Sequence, residues 1–115
     1  NPLACAVAMA SLTALKEEKM AANAEAMGNL FRKELEKLTP PFIREIRGKG
    51  LLNAIVIEHK NPDAAWELCL ALKENGLLAK PTHGDKIRFA PPLVITKEQM
   101  MECVKIIEKS LNQLT

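Results

Sequence analysis

The chain has 115 residues, 48% of them hydrophobic and 26% charged, a size and balance that suit one hydrophobic core and exclude two independent domains or an intrinsically disordered chain. Sixteen basic residues face fourteen acidic ones, leaving a formal charge of +2 with no basic tail. Only Phe31, Phe42, Phe89 and Trp66 are aromatic and tyrosine is absent, so the stacking platform of an RNA-binding sheet is missing and no nucleic-acid partner is expected. No apolar run approaches the roughly 20 residues of a membrane-spanning helix, so no membrane partner is expected. No secretory signal pattern opens the chain, and its start at Asn1 is the start expected of a processed or excised piece.

Asn1-Pro2 is a helix-start signal, a capping side chain followed by a residue whose missing N–H is harmless in the first turn. The helix it opens carries Leu3, Val7, Ala10 and Ala14 on one face and Cys5, Met9, Leu12 and Leu15 on the next, a wide small-and-apolar surface that predicts packing on several sides. The charged run Lys16 to Lys19 interrupts it. Met27, Leu30, Phe31, Leu35 and Leu38 then recur at spacings of three and four, predicting an amphipathic helix that ends near Thr39, before Pro40-Pro41. From Phe42 to Glu58 β-branched residues flank Arg47-Gly48-Lys49-Gly50, and two strands joined through a glycine turn or bulge are expected. Asn61-Pro62-Asp63 repeats the helix-start signal, Ala65, Leu68, Cys69 and Leu72 form an apolar stripe, and Asn75-Gly76 supplies the stop. Two short strands are expected at Leu77–Ala79 and Lys86–Ala90, around the turn Thr82-His83-Gly84-Asp85. Thr96 with Gln99 makes a capping box for a closing helix whose inner face is Met100, Cys103, Val104, Ile107, Leu111 and Leu114. The order predicts an α+β two-layer sandwich, a small mainly antiparallel sheet covered by helices and preceded by a long helix.

Few residues in this pattern point to chemistry. The odd, widely spaced cysteines Cys5, Cys69 and Cys103 sit in apolar helical patterns and are expected to be reduced and buried in the core, with neither a disulfide framework nor a metal site. Gly48 and Gly50 resemble part of a phosphate loop, yet the third glycine and the following helix are absent, so a conformational role is favoured. His83 near Asp85 lacks an accompanying nucleophile, and Lys49 and Lys80 fall at expected strand ends where a solvated amine is the default; none is read as catalytic. Arg88 stands out, since it precedes Phe89-Ala90-Pro91-Pro92, whose prolines hold the backbone, and a rigidly held guanidinium can grip a carboxylate through two parallel hydrogen bonds. Taken alone, an ordinary strand arginine remains the simpler reading.

Three stretches carry a resemblance to a known family: Asn1-Pro2-Leu3-Ala4-Cys5, Arg47-Gly48-Lys49-Gly50-Leu51-Leu52-Asn53-Ala54, and Pro81-Thr82-His83-Gly84-Asp85 with Ile87-Arg88-Phe89-Ala90-Pro91-Pro92-Leu93. Over its whole length the chain resembles the ornithine aminotransferases, fold-type-I pyridoxal-phosphate enzymes of class III. The resemblance implies that residues 1–18 lead from a large domain and residues 19–115 form the C-terminal small domain. It also implies that Arg88 binds the substrate α-carboxylate, notably of glutamate and 2-oxoglutarate, while the δ-amino group of ornithine is transferred to 2-oxoglutarate. Pyridoxal phosphate, its Schiff-base lysine and its phosphate loops are implied to belong to the preceding segment, so this chain alone is expected neither to bind the coenzyme nor to catalyse. The implied partners are that large domain, a second subunit in a homodimer, and amino-acid and 2-oxo-acid substrates, in the cytoplasm or the mitochondrial matrix. The competing reading is a free-standing α+β ligand-binding or interaction module in which Arg88 is structural.

Overall fold

A computed structural model describes residues 1–38 and 40–114. Among these residues four helices and four strands follow in the order α1 (Pro2–Glu17), α2 (Met20–Leu35), β1 (Ile43–Lys49), β2 (Leu52–Ile57), α3 (Ala64–Glu74), β3 (Lys80–Thr82), β4 (Lys86–Phe89) and α4 (Lys97–Leu111). The strands form one antiparallel sheet in the order β1-β2-β4-β3, with a register irregularity between Ile43 and Glu45. This is the α+β architecture that the sequence predicts.

The capping signals hold at both ends of the chain. Asn1 Oδ1 accepts from the Leu3 and Ala4 amides at 2.9 and 3.3 Å, satisfying donors that the first helical turn leaves orphaned. Thr96 and Gln99 close the capping box in both directions, at 3.2 and 3.0 Å. Between α1 and α2, Lys19 adopts a left-handed conformation at φ 50°, which breaks what would otherwise be one long helix at the charged run.

Three boundaries differ from the sequence reading. The second helix ends at Leu35, not near Thr39: residues 36–37 form a turn, Leu38 still packs against the core, and Thr39 itself lies outside the described residues. Helix α3 begins at Ala64, because the Asn61 carboxamide accepts from the Asp63 amide at 2.9 Å and closes a local turn instead of capping the helix. The expected strand at Leu77–Ala79 lies three residues later, at Lys80–Thr82. It contains Pro81, and this is allowed because β3 is an edge strand, where a missing donor need not interrupt a ladder.

One face of the sheet is covered. Ile55 and Ile57 of β2 and Ile87 and Phe89 of β4 join Phe31 and Leu35 of α2, Leu68 and Leu72 of α3, and Met100, Val104, Ile107 and Leu111 of α4 in a single core. Phe31 and Phe89 meet edge to face with centroids 5.6 Å apart. Helix α2 approaches the β1–β2 turn so closely that a Cβ built at Gly28 would stand 1.8 Å from the Gly50 carbonyl oxygen. Gly50 itself has φ 54°, a conformation that other residues rarely adopt. Its carbonyl accepts from Arg32 Nη1 and Asn53 Nδ2, both at 3.1 Å, and Arg32 Nη1 also donates to Asn53 Oδ1 at 2.6 Å.

Helix α1 behaves differently. None of its residues is buried, and Leu3, Met9 and Leu12 are 72, 71 and 67% exposed. It projects from the two-layer body and stretches the molecule to 52 Å along its longest axis. Cys5 is therefore exposed, contrary to the core position expected of it, because among the described residues nothing covers this helix beyond its junction with α2. Cys69 is buried as expected and Cys103 is half-buried, and all three thiols are free.

Candidate functional site

Side chains alternate across a strand, so the core positions Ile55, Ile57, Ile87 and Phe89 fix the opposite face by elimination. That opposite face bears Ala54 and Val56 from β2, Val56 itself fully buried, and Lys86 and the exposed Arg88 from β4. Cross-strand pairing extends it into rows. Arg47 stands opposite Ala54, Ala54 opposite Arg88, and Arg88 opposite Lys80, one residue from each of the four strands. The next row is Glu45, Val56, Lys86 and Thr82. While the covered face is apolar, the open one is basic, and Arg88 lies at its centre, exposed.

The backbone of Arg88 is held on both sides and at both ends. Its strand pairs with β2 and β3, and its neighbours Ile87 and Phe89 are buried in the core at 0 and 5% exposure. Beyond Pro91 and Pro92 the chain turns, with the Ile95 amide donating to the Pro92 carbonyl at 3.0 Å. The Asn23 carboxamide of α2 donates to the carbonyls of Leu93 at 2.7 Å and Ile95 at 3.1 Å, tying this turn to the start of α2. Among the described residues no hydrogen bond or ion pair engages the Arg88 guanidinium. A fixed backbone carrying a free planar cation is the arrangement needed to receive a carboxylate without prior reorganisation.

The other sequence candidates resolve individually. His83 sits in the β3–β4 turn at φ 54°, and Asp85 pairs with Lys86 instead of the histidine; that contact is the main cause holding the Asp85 carboxyl below its ordinary range. Lys49 ends β1 and Lys80 opens β3, both exposed. The glycine turn directs the Gly50 carbonyl into Arg32 and Asn53 and lies against Gly28 of α2, contacts that suit a conformational role. Burial pushes the Cys69 thiol up to about 11, and burial reinforced by Glu102 raises that of Cys103. No group of three potential metal ligands occurs among the described residues. What the sequence reading missed is the company of Arg88: the register that aligns Lys80 and Arg47 with it depends on strand pairings between distant segments.

Comparison with known proteins gives the family. The family model for class-III aminotransferases matches residues 1–111. This chain belongs to the class-III aminotransferases. It is 62% identical over 111 residues to the mitochondrial ornithine aminotransferase of Drosophila melanogaster and 55% identical to that of Rattus norvegicus, covering 96% of this chain and 25% of each relative. Among solved structures, the acetylornithine aminotransferase of Elizabethkingia anophelis superposes with a TM-score of 0.94 at 62% identity, over 98% of this chain and 30% of that one. The ornithine aminotransferase of Toxoplasma gondii superposes at 0.90 with 47% identity, over 99% of this chain and 28% of that one. The chain thus spans about a quarter of the length of these curated relatives.

Class-III aminotransferases use pyridoxal phosphate, and the residues of this chain do not by themselves fit it. Both candidate lysines are exposed at strand ends, and the glycine turn is not followed by a helix whose N-terminus could receive a phosphate.

Proposed function

We propose that this chain is the small domain of an ornithine aminotransferase, with residues 1–18 leading from a large domain and residues 19–115 closing one side of the active site. In this reading Arg88 binds the α-carboxylate of glutamate and 2-oxoglutarate while the large domain holds pyridoxal phosphate. The observation that carries it is the exposed, unpartnered guanidinium on a backbone fixed by two strand ladders, two buried neighbours and the Asn23 tie. Arg88 is a positioning group here, not a proton carrier, because a guanidinium stays protonated throughout the working pH range. The unburied α1 supports the same reading, since its apolar surface is large for a helix left in water and suits packing on a further domain or subunit.

The test is kinetic, in the full-length enzyme that contains these residues. A charge-assisted bidentate contact shielded from water contributes on the order of 2–5 kcal/mol, so Arg88→Ala is expected to raise KM for 2-oxoglutarate by about 30-fold or more. The half-reaction with ornithine should change far less. An unchanged KM for the 2-oxo acid would refute the role. Turnover by the 115-residue chain alone with added pyridoxal phosphate would overturn the small-domain reading itself.

A further inference from the structure

The open face holds more positive charge than one carboxylate-binding arginine requires, and the charges are not equivalent. Arg47 is neutralised by Glu45 at 3.5 Å, and Lys86 by Asp85. Lys49 lies one row further on, opposite Leu52 and two strands away from Arg88. Lys80 is different: it stands directly opposite Arg88 across β3 and β4, and among the described residues neither is in an ion pair. Like charges directly opposite on adjacent strands, with Cβ atoms about 5 Å apart, destabilise a sheet. Such a pair becomes favourable when an anion lies between or above the two cations. On the other flank of Arg88 the row offers only the methyl group of Ala54, which leaves room for the guanidinium to swing away from Lys80.

We propose that Lys80 is a positioning and specificity residue for the carboxylate bound at Arg88, acting by its charge. Its ammonium repels the guanidinium towards the Ala54 side and strengthens the positive field into which the carboxylate of a 2-oxo dicarboxylic acid is drawn. This rests on the reading of Arg88 given above. Glu45 and Asp85, the acidic residues in or beside these rows, pair with Arg47 and Lys86 and leave Arg88 and Lys80 free.

A carboxylate about 7 Å from the ammonium would lose about threefold in affinity on neutralising Lys80 if the site stays water-filled, and about fiftyfold if closure lowers the effective dielectric constant to about 20. The experiment uses full-length enzyme carrying Lys80→Gln, Lys80→Arg or Lys80→Glu, with Arg88→Ala as reference and glutarate as a competitive probe of the acceptor site. Lys80→Gln should raise the glutarate inhibition constant and KM for 2-oxoglutarate within that three- to fiftyfold range, with kcat and KM for ornithine nearly unchanged. Lys80→Arg should restore binding to within about twofold. Lys80→Glu should be worse than Lys80→Gln, because its carboxylate would occupy Arg88 from across the strand. The effect of Lys80→Gln should also shrink as salt is raised. If Lys80→Gln and Lys80→Glu match wild type while Arg88→Ala abolishes glutarate binding, this proposal fails and the role of Arg88 stands. If Arg88→Ala also leaves glutarate binding intact, both fall. A loss in kcat that Lys80→Arg does not rescue would make Lys80 a structural residue and overturn the proposal.

Discussion

Replacing Gly28 by alanine adds one methyl group to a helix, and in most helices it would stabilise, since alanine is better than glycine there by about 1 kcal/mol. Here the sign should reverse. The new Cβ would lie 1.8 Å from the Gly50 oxygen and 2.4 Å from its carbonyl carbon, and both neighbours are backbone. To reach even 3.0 Å the turn must retreat by at least about 1.2 Å, which breaks the bonds from Arg32 and Asn53 to that oxygen. Overpacking of this kind typically destabilises by about 1–3 kcal/mol, and a buried carboxamide left short of partners by a further 1–3 kcal/mol. Asn53 is 2% exposed, so solvent does not replace what it loses. Set against the helix-propensity gain, the net loss is about 1–5 kcal/mol. Urea unfolding followed by circular dichroism should show the midpoint falling by roughly 0.5–2.5 M with the slope unchanged. A midpoint equal to or above wild type would refute the close packing of α2 on the β1–β2 turn.

Two further outcomes follow from contacts already described. Asn23→Ala removes the donor to the Leu93 and Ile95 carbonyls, and is expected to destabilise by about 1–2 kcal/mol and to speed amide exchange at Leu93 and Ile95 while the β1–β2 ladder stays protected; equal loss of protection in both places would mean the tie is not local. With a maleimide near pH 8, Cys5 should label fast and Cys103 slowly, whereas Cys69, its thiol pushed up to about 11 by burial, should label only on unfolding; rapid labelling of Cys69 in the folded chain would contradict the core packing of α3.

Features set by short-range rules were legible in the sequence. The Asn1 and Thr96 caps, the glycine hairpin and the inner faces of α2, α3 and α4 each depend on residues within a few positions of one another, so spacing alone revealed them. Boundaries were lost where two local rules compete. Asn61 can cap a helix or close a turn, and Pro81 argues against a strand until the strand is known to be an edge. Arg88 was picked out by its own surroundings and by family resemblance, but the row it stands in was not. Ala54 and Arg88 are separated by α3 and β3 in sequence, and no periodicity in one segment announces its register with another. Misplacing β3 at Leu77–Ala79 also hid Lys80 from the row. The exposure of Cys5 was misread for a related reason, since an apolar helical pattern reports that a surface will be covered without saying by what.

The two rims of the sheet have one more consequence. An open rim exposes unpaired amide and carbonyl groups that can recruit a strand from another molecule, the first step towards fibrous assembly. Here β3 is three residues long with a proline at its middle, so it can barely extend a ladder. At the other rim, β1 carries its register irregularity beside Glu45 and is studded with Arg44, Glu45, Arg47 and Lys49, features that turn an incoming strand away. If this polypeptide self-associates in solution, the sticking point should therefore be the apolar flank of α1, and the resulting particles should be helical in their contacts and remain unable to bind amyloid dyes.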